Sequence, residues 1–319
     1  MSVLSKAYMH DEAAAFAHVE SILWPDGPVC PHCGVVDSAY KLEGVRTKAS
    51  KKNPEGKERF GLWKCRECRK QFTVRKGTIF EESHIEMFKW LQAIHLMVSS
   101  KKGISSHQLH RVLEITHKSA WFMSHRIREA MRNDGSVDFG SNGGTVEVDE
   151  TFIGNDRTIK PKHTKKGRGY AHKHKLLTLV DRNTGHAKSI VVDDLKQSTL
   201  LPILKANIAA EAVIYTDEAG QYKNLSRDFA GHDFVRHGQG EYGRGVVHTN
   251  TIEGYFSVFK RGMKGVYQHC AKKHLHRYAA EFEFRYNNRS ANGVEDAERG
   301  EIALRAMAGK RLSYAAPTA

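Results

Sequence analysis

Apolar positions along this chain of 319 residues change their spacing twice. Between about residues 84 and 132 they recur at helical intervals, with Ile85, Phe88, Trp90, Leu91, Ile94 and Met97–Val98 on one face. Gly103 breaks that pattern, and Ser106 can cap a short helix running through Val112. A turn near Glu114–Thr116 leads into a longer helix, where Trp121, Phe122, Ile127 and Met131 are expected to pack inward. Lys118, His125, Arg126, Arg128 and Arg132 are expected around its other faces. This is a helix-turn-helix pattern whose last helix suits groove reading; a plain helical bundle accounts for the same spacing.

From Thr145 onward the pattern alternates between strand and helix. Strands are expected at residues 145–153, 174–181, 187–193 and 212–215, with a helix in "STLLPILKANIAAE" between the third and fourth. "DRNTG" reads as a tight turn, so the first three strands should pair antiparallel, and the fourth, after a helix, should run parallel to the first. A mixed sheet with flanking helices fits this order. Within "TVEVDETFIG" the alternation sets Glu147 and Asp149 on one face and Val146, Val148 and Glu150 on the other. Carboxylates in a β-branched run are costly to bury unless something pairs with them.

Composition narrows the class. A hydrophobic content of 40% and a charged content of 27% exclude a disordered chain. No apolar run approaches the roughly 20 residues of a membrane helix. Acidic residues stand where a signal peptide would have its apolar stretch, so an intracellular protein is expected. Lys and Arg number 50 against 36 acids, a net +14, which points to a polyanionic partner. Residues 157–175 concentrate eight of those cations with no acid among them, as a loop awaiting counter-charge would.

Cysteine spacing is more specific. "CPHCG" supplies Cys30 and Cys33, and "CRECRKQF" supplies Cys65 and Cys68. Two such knuckles suit one tetrahedral structural zinc held by four thiolates, with no open position for chemistry. Disulfides and a thioredoxin-like redox pair are weaker readings. Cys270 stands alone and reads as a small packing residue.

The acids of the last region suggest a second metal site. Asp149 lies in mid-strand, Asp217 ends the fourth strand in "VIYTDEAGQY", and Glu253 falls in the first turn of a helix that Thr249 or Asn250 can cap. Parallel neighbours would bring Asp149 and Asp217 to one side of the sheet. Three converging carboxylates repel one another unless hard cations join them, and two Mg²⁺ or Mn²⁺ ions suit oxygen ligands. Such a pair of ions is a known device for phosphodiester displacement. Glu147 and Glu150 read instead as solvent-facing or paired acids, and Glu218 could stand in for Asp217.

These segments, "VEVDETFIG", "YTDEAGQY", "HTNTIEGYFSVFKRGMKGVYQH" and "KKHLHRYAAEFEFRYNNR", resemble the ISXO-type (ISXO2-like) DDE transposases of bacterial insertion sequences, in their zinc-ribbon branch. The resemblance implies an N-terminal helical segment (1–26), a zinc ribbon (27–80), a helix-turn-helix-like DNA-binding region (81–135), an RNase H-like catalytic domain (144–292) and a tail (293–319). It implies a bacterial cytoplasmic enzyme that binds terminal inverted repeats of double-stranded DNA, cleaves there and joins 3′-hydroxyls to target DNA. Asp149, Asp217 and Glu253 match the family's metal-binding acids, and Lys260, seven residues beyond Glu253, matches its following basic residue. Asn250 is the fallback third ligand. Arg126, Lys162, Lys165, Lys166, Arg168, Lys260 and Arg261 are the expected DNA contacts, and paired ends suggest at least a dimer. An inactive DNA-binding regulator and a nuclease without strand transfer remain the rival readings.

Overall fold

Contacts divide the chain into two units. One takes in the chain up to Ser100, Ser106–Met131 and the stretch from Glu295 onward; the other comprises Lys101–Ser105 and Arg132–Val294. The computed structural model describes all residues other than Met1, Lys52, Asp134, Ser136, Val137, 156–171 and 313–319. Lys162, Lys165, Lys166 and Arg168, with most of the basic run, therefore lie outside the described residues. Among the described residues no helix is long and apolar enough to cross a membrane.

In the first unit, helix α1 (Glu12–Leu23) starts where Asp11 Oδ1 accepts the Ala14 N–H at 2.7 Å. Three short strands, β1 (Ala39–Lys41), β2 (Trp63–Cys65) and β3 (Gln71–Phe72), pair antiparallel in that order. Their own core is small: Cys30, Cys65 and Phe72 with Trp24, Trp63 and Cys68 against them. A cluster of that size needs a further staple, and a metal is the usual one.

Helix α2 (Met87–Ser99) buries Trp90, Leu91, Ile94, Met97 and Val98 of the expected stripe and adds Met87 and Ala93, whereas Phe88 is only partly buried and Ile85, also partly buried, precedes the helix. It has no capping side chain of its own. Glu12 from α1 supplies one, its Oε2 accepting the N–H of Met87 at 2.6 Å and of Phe88 at 3.3 Å. Helices α3 (Ser106–Leu113) and α4 (His117–Met131) follow, joined through Glu114 in the left-handed region at φ 51°.

The expected faces of α4 need correction. His125, Arg126 and Arg128 are buried, whereas Trp121 and Phe122 are only partly so. Arg126 is turned inward because its Nη1 satisfies two backbone carbonyls, Ile79 O at 2.7 Å and Glu81 O at 2.8 Å. Its guanidinium also lies 4.6 Å from the Phe122 ring. It is committed to the interior and is not a DNA contact on the surface.

The second unit is built on a five-stranded sheet of β4 (Thr145–Ile153), β5 (His174–Asp181), β6 (Ala187–Val192), β7 (Val213–Asp217) and β8 (Gly231–Val235), in the order β6-β5-β4-β7-β8. Pairings β4–β5 and β5–β6 are antiparallel, β4–β7 and β7–β8 parallel. This is the mixed, RNase H-like arrangement that the sequence implied, with β8 an unforeseen addition. Helix α5 (Gln197–Lys205), shorter than the expected segment, covers one face. There Val146, Val148, Leu177, Leu179 and Ile214 pack with Leu200 and Leu204. A hairpin of β9 (Gly243–Arg244) and β10 (Val247–His248) precedes α6 (Asn250–Gly262), and a π turn at Met263–Tyr267 leads to α7 (Lys272–Asn287). Both helices bury apolar faces against Ile153, Leu176 and Val180, and Cys270 packs at that core's edge as expected. Each fully buried Leu or Ile contributes about 1.5–3 kcal/mol.

Candidate active site and zinc centre

The pleat of β4 decides which acids face α6. Val146 and Val148 enter the α5 core, so Glu147, Asp149 and Thr151 point to the opposite face with Ile153. Strand β7 fixes the neighbour: Thr145, Val146 and Glu147 lie beside Val213, Ile214 and Tyr215. The pairing stops at Glu147 and Tyr215, but the pleat turns Asp149 and Asp217, two residues further along each strand, to that same face, and the charge of Asp217 acts on Asp149.

Glu147 is fully buried, at 0% exposure, and is neither solvent-facing nor a free ligand. Arg182 Nε donates to its Oε1 at 2.6 Å, and Thr251 Oγ1 donates to the same oxygen at 2.8 Å. Its Oε2 accepts the Ile252 N–H at 2.8 Å, doing for α6 what a local N-cap does elsewhere. Thr249, at the N-cap position, makes no capping bond, and Asn250 is exposed with only its N–H aimed at His248 Nδ1, 3.4 Å away. Glu150 faces the other way, accepting from Gln221 Nε2 at 3.0 Å and from the Tyr222 hydroxyl.

Asp149 is partly buried, and its Oδ1 accepts the Glu150 N–H at 2.7 Å. Burial first, then the negative fields of Asp217 and Glu150, push its pKa from 3.8 up to about 8, with Lys260 pulling the other way. Asp217 is also raised, chiefly by burial and against the Ala219 N–H and His237. Lys260 is lowered, mostly by burial, while Asp149 and Glu253 favour its charge and Lys264 and Lys173 oppose it. These groups share one field.

Glu253 is exposed in the first turn of α6, and its Oε1 lies 3.5 Å from His237 Nε2. His237, which sequence reasoning passed over, thus stands beside both Glu253 and Asp217. Glu218 does not replace Asp217: its carboxylate accepts the N–H groups of His237 and Gly238 at 2.9 and 2.8 Å and anchors that loop. Arg261 is exposed on α6, with Nη2 2.6 Å from Ser257 Oγ.

The two candidate metal sites differ in closure. All four cysteine sulfurs lie within 4.8 Å of one another. Cys30 and Cys68 are 3.6 Å apart, Cys33 and Cys65 3.7 Å. Zinc–thiolate bonds of about 2.3 Å at tetrahedral angles put sulfurs ~3.8 Å apart, whereas a disulfide requires ~2.05 Å. The quartet fits zinc. Burial raises the Cys30 thiol, yet N–H groups of His32 and Cys33 and neighbouring thiols outweigh it and bring it down to about 7. Against the Val35 N–H, burial and the other thiols push Cys33 up to about 12. Four thiolates do not coexist there without a cation.

Among the described residues no other group of three or more His, Cys, Asp or Glu is close enough to hold one metal, so Asp149, Asp217 and Glu253 do not converge as a trio. Burial, then the charges of Asp217 and Glu150, oppose ionisation of Asp149, and a divalent cation is the kind of ligand whose charge would offset both.

Comparison with known proteins accords with this geometry. A model described as the ISXO2-like transposase domain matches residues 142–287, and one described as the transposase zinc-ribbon domain matches residues 10–71. A protein of Halobacterium salinarum, described as an uncharacterized protein in transposable element ISH50, is 26% identical over 292 residues, 88% of this chain and 92% of its own. A transposase-like protein of Haemophilus influenzae is 26% identical over 100 residues, 31% of this chain and 80% of its own. Among solved structures, the HTLV-2 integrase catalytic core domain is 10% identical, covering 46% of this chain and 86% of that one at a TM-score of 0.26. A pre-cleavage Mos1 transpososome is 11% identical, covering 64% and 79% at 0.20. Those superpositions are loose, and the assignment rests on the two domain matches. The chain carries an ISXO2-like transposase domain over residues 142–287, preceded by a transposase zinc-ribbon domain over residues 10–71.

Proposed function

We propose that this chain is a DNA transposase that binds the inverted repeats at the ends of its element, cleaves there, and transfers the freed 3′-hydroxyls to target DNA. The observation that supports the reading is that the pleats of β4 and β7 turn Asp149 and Asp217 to one face, with the charges of Asp217 and Lys260 acting on Asp149. Asp149, Asp217 and Glu253 would hold two Mg²⁺ or Mn²⁺ ions. When bound, these ions supply activation of the attacking oxygen and stabilisation of the leaving one. Glu253 sits on the exposed first turn of α6. Asn250 is the fallback third ligand, on the same end of α6.

Lys260 lies two helical turns beyond Glu253 and on its face, so it can meet a phosphate oxygen beside the acids. Arg261 and the basic run are further backbone contacts. The zinc holds residues 27–80 together as a ribbon, and residues 81–135 bind the duplex. The exposed start of α4, with His117 and Lys118, is the part suited to the groove. Two DNA ends call for at least two copies of the chain.

The test is incubation of purified protein with labelled end DNA, with and without Mg²⁺. Cleavage and joining should require the ion. Asp149→Asn and Asp217→Asn should each lower both by at least about 10²-fold, the scale of lost transition-state charge stabilisation, and leave end binding intact. Cleavage retained in the double variant would refute the assignment.

A further inference from the structure

Large apolar side chains exposed among the described residues are few: Leu4, Val36, Val112, Tyr242 and Val246. Two of them belong to one short hairpin, where Tyr242 is 65% and Val246 71% exposed. Isolated exposed side chains need no explanation. These two differ because the backbone carrying them is tied down. Arg182 donates to Val246 O at 2.7 Å and to His248 O at 2.7 Å. Glu218 holds the N–H groups of His237 and Gly238. Arg244 bonds Asp233 Oδ1 at 2.6 Å, and Arg236 N–H reaches Glu241 at 3.2 Å. A loop anchored at these points cannot fold over to cover Tyr242 and Val246.

The position of Tyr242 matters more than its exposure. The Tyr242 ring lies 5.4 Å from that of His237, and His237 Nε2 is 3.5 Å from Glu253. An exposed aromatic ring therefore stands one side chain away from a proposed catalytic acid. One to three nucleotides, at ~3.4 Å of rise each, cover that separation from a phosphate bound at the acids. Two side chains are far too little for a protein interface, which requires on the order of 1,000 Å². They are the right amount for one base and one base step: an aromatic face to stack on and an aliphatic wedge.

We propose that the hairpin of residues 236–248 opens the duplex at the DNA end, Tyr242 stacking on an unpaired base beside the scissile phosphate and Val246 filling the place it leaves. The inference rests on the transposase reading of the acids and adds to it a contact with bases rather than with phosphates. Arg182 is a positioning residue here, since it acts through the hairpin backbone.

The experiment uses the full chain and two duplexes bearing the terminal repeats that flank its coding sequence. One duplex is fully paired; the other carries mismatches at the nucleotides flanking the cleaved bond. 2-Aminopurine at those positions reports unstacking. Tyr242→Ala should cut the paired duplex at least about tenfold more slowly, the scale of one lost base–aromatic stack. It should cut the mismatched duplex within about threefold of the unsubstituted protein, and should lose the fluorescence change. Tyr242→Phe, which keeps the ring, should behave as the unsubstituted protein on both. Equal loss on the two duplexes, or no loss on either, overturns the proposal. If the unsubstituted protein cuts neither duplex in Mg²⁺, the transposase reading itself fails and the wedge with it.

Discussion

Asp149 carries the consequence of placing like charges side by side. Its carboxyl titrates near 3.8 in an unfolded chain and near 8 in the folded one, without metal. Between those values the folded chain holds a proton that the unfolded chain has released. Stability from this group is thus full below about pH 4 and is lost as pH rises through about 8. Asp149→Asn removes the dependence, so in EDTA the variant should melt above the parent at pH 8 and alongside it at pH 4. Mg²⁺ should narrow the gap at pH 8 by binding the folded parent. Equal melting differences at both pH values would show that Asp149 is not the titrating group. Glu147 allows a second forecast. It is buried with Arg182, Thr251 and the Ile252 N–H as donors, so Arg182→Ala leaves a buried carboxylate without its cation. Chemical denaturation should show a loss of about 3 kcal/mol, the lower end for a broken buried pair. Glu147→Gln keeps an acceptor for Ile252 and should cost less.

Helix ends show why part of the fold was legible and part was not. Strand β4 alternates cleanly, and the turn after β5 declares itself, because Asp181 Oδ1 holds the N–H groups of Asn183 and Thr184 at 2.7 and 3.0 Å, a purely local device. The N-termini of α2 and α6 are capped from elsewhere, by Glu12 and Glu147, and no local pattern records that. Strand β8, "GHDFV", has one glycine, two polar residues and no continuous apolar run, so its pairing comes from β7 rather than from its own composition. Helix α4 was misread for a related reason: arginine side chains satisfy distant carbonyls, and charge alone does not say which way they turn. His237 was missed because its role depends on the loop that Glu218 anchors. One element yields its own forecast. At the end of α6 a Cβ on Gly262 would come 2.4 Å from Phe282 Cζ and 2.6 Å from Lys102 O, whereas one on Gly265 meets nothing within 4 Å. Gly262→Ala should therefore destabilise by about 1–3 kcal/mol through overpacking. Gly265→Ala should be neutral or slightly stabilising, and equal denaturation midpoints for the two variants would contradict the close approach.

At the scale of the whole chain, the excess of 50 cations over 36 acids has to be reconciled with how many cations are already spent. Arg126 serves carbonyls, Arg182 and Arg285 are paired with the buried Glu147 and Glu281, and Arg244 is paired with Asp233 and Glu241. The buried Arg126 and Arg285 and the largely buried Arg182 cannot also neutralise phosphates without undoing the fold, whereas Arg244 is half exposed and its surface ion pairs contribute little. The charge available to DNA then comes from cations not so committed, and residues 157–175 hold the densest run of Lys and Arg in the sequence. Each phosphate contact contributes about 0.9 to the slope of log affinity against log salt. Changing Lys162, Lys165, Lys166 and Arg168 together to Gln should weaken binding to end DNA and to unrelated DNA alike. It should also lower the magnitude of that slope by about 2–4, depending on how many of the four meet a phosphate. Fluorescence anisotropy at several salt concentrations measures both quantities. Asp149→Asn, by contrast, should leave the slope unchanged, because in the proposed role its carboxylate meets metal ions and not the phosphates along the duplex. A slope unmoved by the fourfold change would transfer the electrostatic role to Lys118 of α4 and the exposed lysines of the ribbon, where the same substitutions and the same titration apply.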